Sequence, residues 1–139
     1  MNPERFSPDF RGVSLRCENR RYLTLRNTRF NGADLTGADL TGADLSDSDF
    51  TDANLTDVNF SRANLTGANF TRTILSGTNF TGANLTRATL SSVDLSTANL
   101  TDVKVQFLTL NQVKGVVTDK HVLLIGRLQE LLAEKSPPF

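Results

Sequence analysis

The sequence predicts an all-β solenoid, a chain that turns a corner every five residues and winds upon itself. Three observations carry this reading. From Leu25 to Leu110 every fifth residue is large and apolar. Two residues before most of these stands a small one, as at Ala33, Ala38, Ala43, Ala53 and Ala63. The residue after is Ser or Thr in every unit from Thr36 to Thr101. Asp or Asn usually precedes the large residue, so the unit reads A-(D/N)-(L/F)-(S/T)-X.

A period of five suits neither standard element. On an α-helix five residues advance ~500°, which scatters the leucines around the whole cylinder. On a straight strand an odd spacing sends them to alternate faces. Each unit must therefore contain a bend. A short extended piece keeps the small and the large residue on one side, and the other three face solvent or turn. Gly32, Gly37, Gly42, Gly67, Gly77 and Gly82 hold the last position of their units, where turn geometry favours them. If each bend is near a right angle, four units close a coil of 20 residues. Phe30, Phe50 and Phe70 are then expected to stack as one column, Phe60 and Phe80 as another, and Leu35, Leu55, Leu75 and Leu95 as a third.

The run GADLTGADLTGADLSDSDFTDANLTDVNFSRANLTGANFTRTILSGTNFTGANL resembles the pentapeptide-repeat family. The resemblance is strong over residues 23–112 and weak over 8–25. It implies a right-handed quadrilateral β-helix of about five coils. The organisation expected is a degenerate N-terminal coil or cap over 1–22, the β-helix over 23–112, and a loop with a C-terminal capping helix over 113–139.

That helix is read from the residues themselves. Thr118 or Asp119 is a suitable N-cap. Leu124, Ile125, Leu128, Leu131 and Leu132 share one helical face, and Pro137-Pro138 follow the end. The expected α-helical cap spans 119–134. Val122 and Leu123 lie off its stripe, either tucked under the preceding loop or forming a dimer contact. Dimerisation through C-terminal elements in some bacterial members of the family gives a homodimer expectation. At the other end Phe10, Leu15 and Leu25 keep phase, but Arg20 takes an inward position. An unpaired buried Arg is too costly, which predicts a bulge near Glu18–Arg21.

Composition narrows the function classes. The chain has 139 residues, with 15 Lys+Arg against 15 Asp+Glu, and 38% apolar residues. Its neutrality speaks against direct nucleic-acid binding. Its apolar content lies below the usual share of about 45–50%, as expected when two residues in five point inward. One Cys and one His rule out an internal disulfide and a Cys/His metal site. No apolar run is long enough for a membrane span, and MNPERFSPDF lacks a signal-peptide stretch. A cytoplasmic location is expected. Cys17 is read as a surface thiol.

Charge is segregated within the neutral total. Residues 1–30 hold seven Arg, and residues 31–60 hold seven Asp with no base. Arg11, Arg16, Arg21 and Arg26 share one outward position, and Asp34, Asp39, Asp44 and Asp49 share another. A basic ring is thus expected directly above an acidic ring. The rings either neutralise each other or, with Arg20, form a docking end for an acidic partner or phosphate. Asp52 and Arg72, 20 residues apart, are expected to pair between coils.

No catalytic residue, cofactor site or metal site is expected. His121 stands alone on the expected cap helix, and no base accompanies the many Ser and Thr residues. The Asn-Leu-Thr strings mimic glycosylation acceptors but arise from the repeat. A small protein-interaction scaffold or adaptor is the expectation, its partner unnamed. The family resemblance adds an alternative, a DNA-mimicking protector of a bacterial type II topoisomerase (gyrase). Such a mimic needs acidity along its length, whereas Arg62, Arg72 and Arg87 follow the acidic stretch.

Overall fold

A computed structural model describes residues 7–115. The chain climbs in 20-residue coils, and parallel single-residue bridges join each coil to the next. Asp9 pairs with Arg29, Asp34 with Asn54, Asn64 with Asn84, and Asn79 with Asn99. Four units per coil make four faces, named here by the large residues behind them. Face 1 carries Phe10, Phe30, Phe50, Phe70, Leu90 and Leu110. Face 2 carries Leu15, Leu35, Leu55, Leu75 and Leu95. Face 3 carries Arg20, Leu40, Phe60, Phe80 and Leu100. Face 4 carries Leu25, Leu45, Leu65, Leu85 and Val105.

The consensus follows from where the backbone N–H groups go, since each needs a partner. In the unit around Leu35, Leu35 N–H donates forward to Asn54 O (2.9 Å), and Asp34 N–H donates back to Val13 O (3.0 Å). The corner residue Gly37 donates to Thr56 O (2.9 Å), and Ala38 closes the turn onto Leu35 O (2.9 Å). The fifth N–H, on Thr36, finds no carbonyl. It donates to Asp34 Oδ1 (3.0 Å), which also accepts the Thr36 hydroxyl (2.6 Å). The same pair of bonds recurs from Asp39–Thr41 through Asn84–Thr86 to Asn99–Thr101 in most units. Asp or Asn is required as the acceptor, and Ser or Thr follows as the second donor.

Departures from the consensus change the backbone locally. Thr89 and Thr109 replace the Asx acceptor on face 1, and there the pairing lengthens into two parallel strands. These are β1 (Thr89–Ser91) and β2 (Thr109–Asn111), in register Leu90↔Leu110. On face 2 Ile74 replaces it, and among the described residues the bridge from 74 to 94 is missing. Gly77 N–H there donates to Thr97 Oγ1 (3.0 Å).

The core is a column one large residue deep per face. Leu45, Leu55, Leu65, Phe50, Phe60, Phe70 and Phe80 are fully buried. The expected columns form. Phe10, Phe30, Phe50 and Phe70 stack at 5.5, 4.8 and 5.1 Å between ring centroids, and Phe60 on Phe80 at 5.4 Å. Faces 1 and 3 are opposite, so the two columns meet edge to face across the axis, Phe50–Phe60 at 5.7 Å and Phe70–Phe80 at 5.7 Å. Where a hydroxyl replaces the small Ala, it is satisfied by a carbonyl: Thr73 by Phe50 O (3.2 Å) and Thr78 by Leu55 O (2.8 Å).

The expected bulge near Arg20 does not form. Asn19 bridges Asp39, and Arg20 N–H donates to Asp39 O (2.8 Å), so the register is unbroken. Arg20 needs no burial because it lies in the first coil, where its side chain keeps 47% exposure and meets Glu18 at 3.4 Å. The expected helix over 119–134, with His121, Val122 and Leu123, lies outside the described residues.

Candidate functional site

The corners set what the surface can present. The residue two after each large one takes positive φ at every described corner from Gly12 to Gln112 except Thr97. A β-branched side chain resists that conformation. Only some corners are glycine. Cys17, Tyr22, Asp47, Asp57, Arg62, Arg87 and Phe107 also adopt it. Corner side chains lean along the rod over the corner of the next coil. A Cβ on Gly42 would strike the Tyr22 ring, and on Gly67 or Gly77 it would strike Asp47 or Asp57. Glycine is therefore needed twice at these corners, for its dihedral and for the space it leaves.

The two charge rings lie against each other. Arg16 meets Asp34 Oδ2 at 3.3 Å, Arg21 meets Asp39 Oδ2 at 3.7 Å, and Arg26 meets Asp44 Oδ2 at 3.9 Å. Each acid divides its oxygens, Oδ1 toward its own Ser or Thr and Oδ2 toward the coil above. The fourth pairs differ. Position 29, which Arg11 would meet, is itself Arg. Arg11 folds onto Asp9 of its own unit at 2.7 Å. Asp49 has Asn31 above it in place of an Arg, and Asn31 donates a hydrogen bond. Among the described residues Arg20 pairs only with Glu18. The predicted Asp52–Arg72 pair forms at 2.8 Å.

These contacts hold several carboxyls below their usual range. The Thr36 hydroxyl does so for Asp34, and the Thr41 hydroxyl for Asp39. Burial opposes the charge on Asp49, but the bonds from Thr51 and Asn31 outweigh it. Asp52 is lowered by Arg72, Asp94 by Ser96, and Asp9 to about 2 by Arg11.

Sequence reasoning missed which charges stay unmatched. Among the described residues Arg29, Arg62, Arg87, Lys104 and Lys114 have no ion pair. Two aromatics that the repeat does not mark, Tyr22 and Phe107, are 63% and 67% exposed. Their corner positions were the available signal. Cys17 is exposed, as expected. Open grooves cross the surface of the described residues. One of about 820 Å³ runs past Arg11, Arg29, Asp47 and Asp49. Another, about 520 Å³, runs past Arg21, Ser61, Arg62, Gly82 and Asp102. No cluster of His, Cys, Asp and Glu among the described residues could hold a metal ion. No helix among them is long and apolar enough to cross a membrane.

A four-sided stack of five-residue units, with Asx–Ser/Thr pairs outside and a Leu/Phe column inside, defines a parallel β-helical repeat protein. Residues 8–80 and 23–100 match the model of the pentapeptide repeat region, and the chain belongs to that family. The solved structures similar to it are right-handed β-helices. A pentapeptide repeat protein from the Arabidopsis thaliana thylakoid lumen is 33% identical, with a TM-score of 0.66, over 68% of this chain and 66% of that one. A pentapeptide repeat protein from Nostoc PCC 7120 is 25% identical, with a TM-score of 0.61, over 77% of this chain and 88% of that one. One from the cyanobacterium Cyanothece 51142 is 21% identical, with a TM-score of 0.56, over 74% and 88%, a likeness of fold alone. No curated protein matches the sequence.

Proposed function

We propose that this chain is a non-enzymatic scaffold that presents its flat outer faces to another protein. One observation carries the reading. The polar side chains of the faces are tied to each other, as in Asn59–Ser61 and Asn79–Thr81, so they form a rigid, preorganised surface. Recognition then falls to the groups that the repeat leaves variable, chiefly the corner residues. The matched Arg and Asp rings fit a structural role at the N-terminal coils, where exposed pairs contribute only about 0–1 kcal/mol each.

A duplex mimic is less well supported. It would need a continuous acidic surface, whereas Asp34, Asp39 and Asp44 each face an arginine. The test is a photo-crosslinker placed in turn at Thr56, Ser61 and Thr66, one on each of three faces, in an extract of the native cell. A specific protein adduct at one face is the expected result. No adduct at any face, together with inhibition of gyrase supercoiling by the purified chain, would replace the scaffold with the mimic.

A further inference from the structure

The rod beyond the charge rings is sparsely charged, and its unmatched charges are not evenly placed. Arg72 is bound to Asp52, and Asp94 lies under the influence of Lys114, its bridge partner in the next coil. Among the described residues beyond the rings, Arg62, Arg87 and Lys104 lack an ion pair and belong to face 4 and its two corners, while Lys114, which also lacks one, lies on face 2 beside Asp94. Arg62 stands at the corner where the chain enters face 4, with its Cγ 3.4 Å from where a Gly82 Cβ would be. Arg87 stands at the corner where the chain leaves it. Lys104 lies on the face, paired through its backbone with Asn84. Between them the face offers Asn64, Thr66, Asn84 and Thr86. The same two corners also carry Asp102, two coils beyond Arg62, and Asp47, two coils before Arg87, while on the far side of the rod the corner between faces 2 and 3 carries Asp57 and no cation.

Two details sharpen the chemistry. Lys104 occupies the position of the Asx acceptor, so a cation stands where the repeat's own bonding would favour Asn. Phe107, in the corner column of Arg87, exposes 67% of its surface beside the same face. Cations flanking a flat polar strip, with an exposed ring at one end, complement an acidic chain that also carries an apolar side chain.

We propose that face 4, with Arg62, Arg87, Lys104 and Phe107, is the docking surface for an acidic, extended segment of a partner protein. This rests on the scaffold reading and names the face and the partner's chemistry. A nucleic acid is the weaker occupant. Phosphate backbones demand many neutralising cations, and the chain as a whole is neutral.

The test uses the full chain and a fluorescent Glu-rich peptide of about ten residues with one central Leu. Binding is expected to weaken as salt rises. The variant Arg62→Asn, Arg87→Asn, Lys104→Asn should bind about tenfold more weakly or worse. Its fold is protected, because Asn tolerates the corner dihedral and restores the consensus at 104; an unchanged melting curve confirms this. Arg16→Ser, Arg21→Ser, Arg26→Ser should leave peptide binding unaltered. Equal binding by wild type and the Asn variant, or no binding by either, overturns the proposal. So does tighter binding of a short DNA duplex that displaces the peptide. Crosslinking separates the two readings: an adduct at Thr56 or Ser61 but not at Thr66 keeps the scaffold and removes this face.

Discussion

At a corner of the coil the backbone dihedral comes before the side chain. A non-glycine residue in the left-handed region is disfavoured by about 1–2 kcal/mol. Arg62, Arg72 and Arg87 nonetheless adopt it, because the bonds on either side of the corner fix the turn. The glycines should therefore differ in their tolerance. Gly32 has open space around it, so Gly32→Ala is expected to lose about 1 kcal/mol, the dihedral cost alone. Gly67→Ala should lose more, because the new methyl would displace the Asp47 carboxylate. Urea unfolding of the two variants checks the order, and equal losses would refute the stacking of corner on corner. The sequence marked the glycine corners as turns. It did not mark Tyr22 or Phe107 as corners of the same kind, since local propensity argues against aromatic residues there and only the neighbouring coil overrides it.

The coil is the element of this protein, and its stability is a sum of contacts between coils. Phe60 lies on Phe80 and meets Phe50 and Phe70 edge to face. Phe60→Ala should thus cost about 3–5 kcal/mol, the range for emptying a fully buried aromatic site. Ala63 is equally buried, so Ala63→Leu should cost about 1–3 kcal/mol by overpacking. Denaturant midpoints measure both, and wild-type values would contradict the one-residue-deep core. The aromatic columns were legible because their 20-residue spacing is visible in the chain. The bridge missing between 74 and 94 was not. Ile74 looks harmless as an outward residue until the acceptor role of its position is known. Arg20 misled for the opposite reason: its phase is inward, but exposure depends on its place in the first coil rather than on phase.

Over the whole molecule, charge makes the rod sensitive to acid. Asp9, Asp34, Asp39, Asp49, Asp52 and Asp94 all have pKa values below those of an unfolded chain. Groups lowered in the folded state stabilise it above the unfolded pKa of about 3.9 and lose that effect as pH falls through the folded values. The melting temperature should be flat above about pH 5 and drop between about pH 4 and 2. Thr41→Val should shallow that drop by removing the hydroxyl that holds Asp39 down. An unchanged acid limb in this variant would show that the hydroxyl does not set it.

By itself the sequence determined the coil. A five-residue period, inward Leu or Phe with Ala, and an Asx–Ser/Thr pair leave the backbone one way to bond all its N–H groups. It also placed the Arg ring over the Asp ring, since both follow from phase. Tertiary structure alone decided which charges those rings consume and which remain. Arg16, Arg21 and Arg26 reach an acid one coil away, while among the described residues Arg62, Arg87 and Lys104 reach none. The difference arises from side chains meeting across coils, at separations that no local pattern encodes.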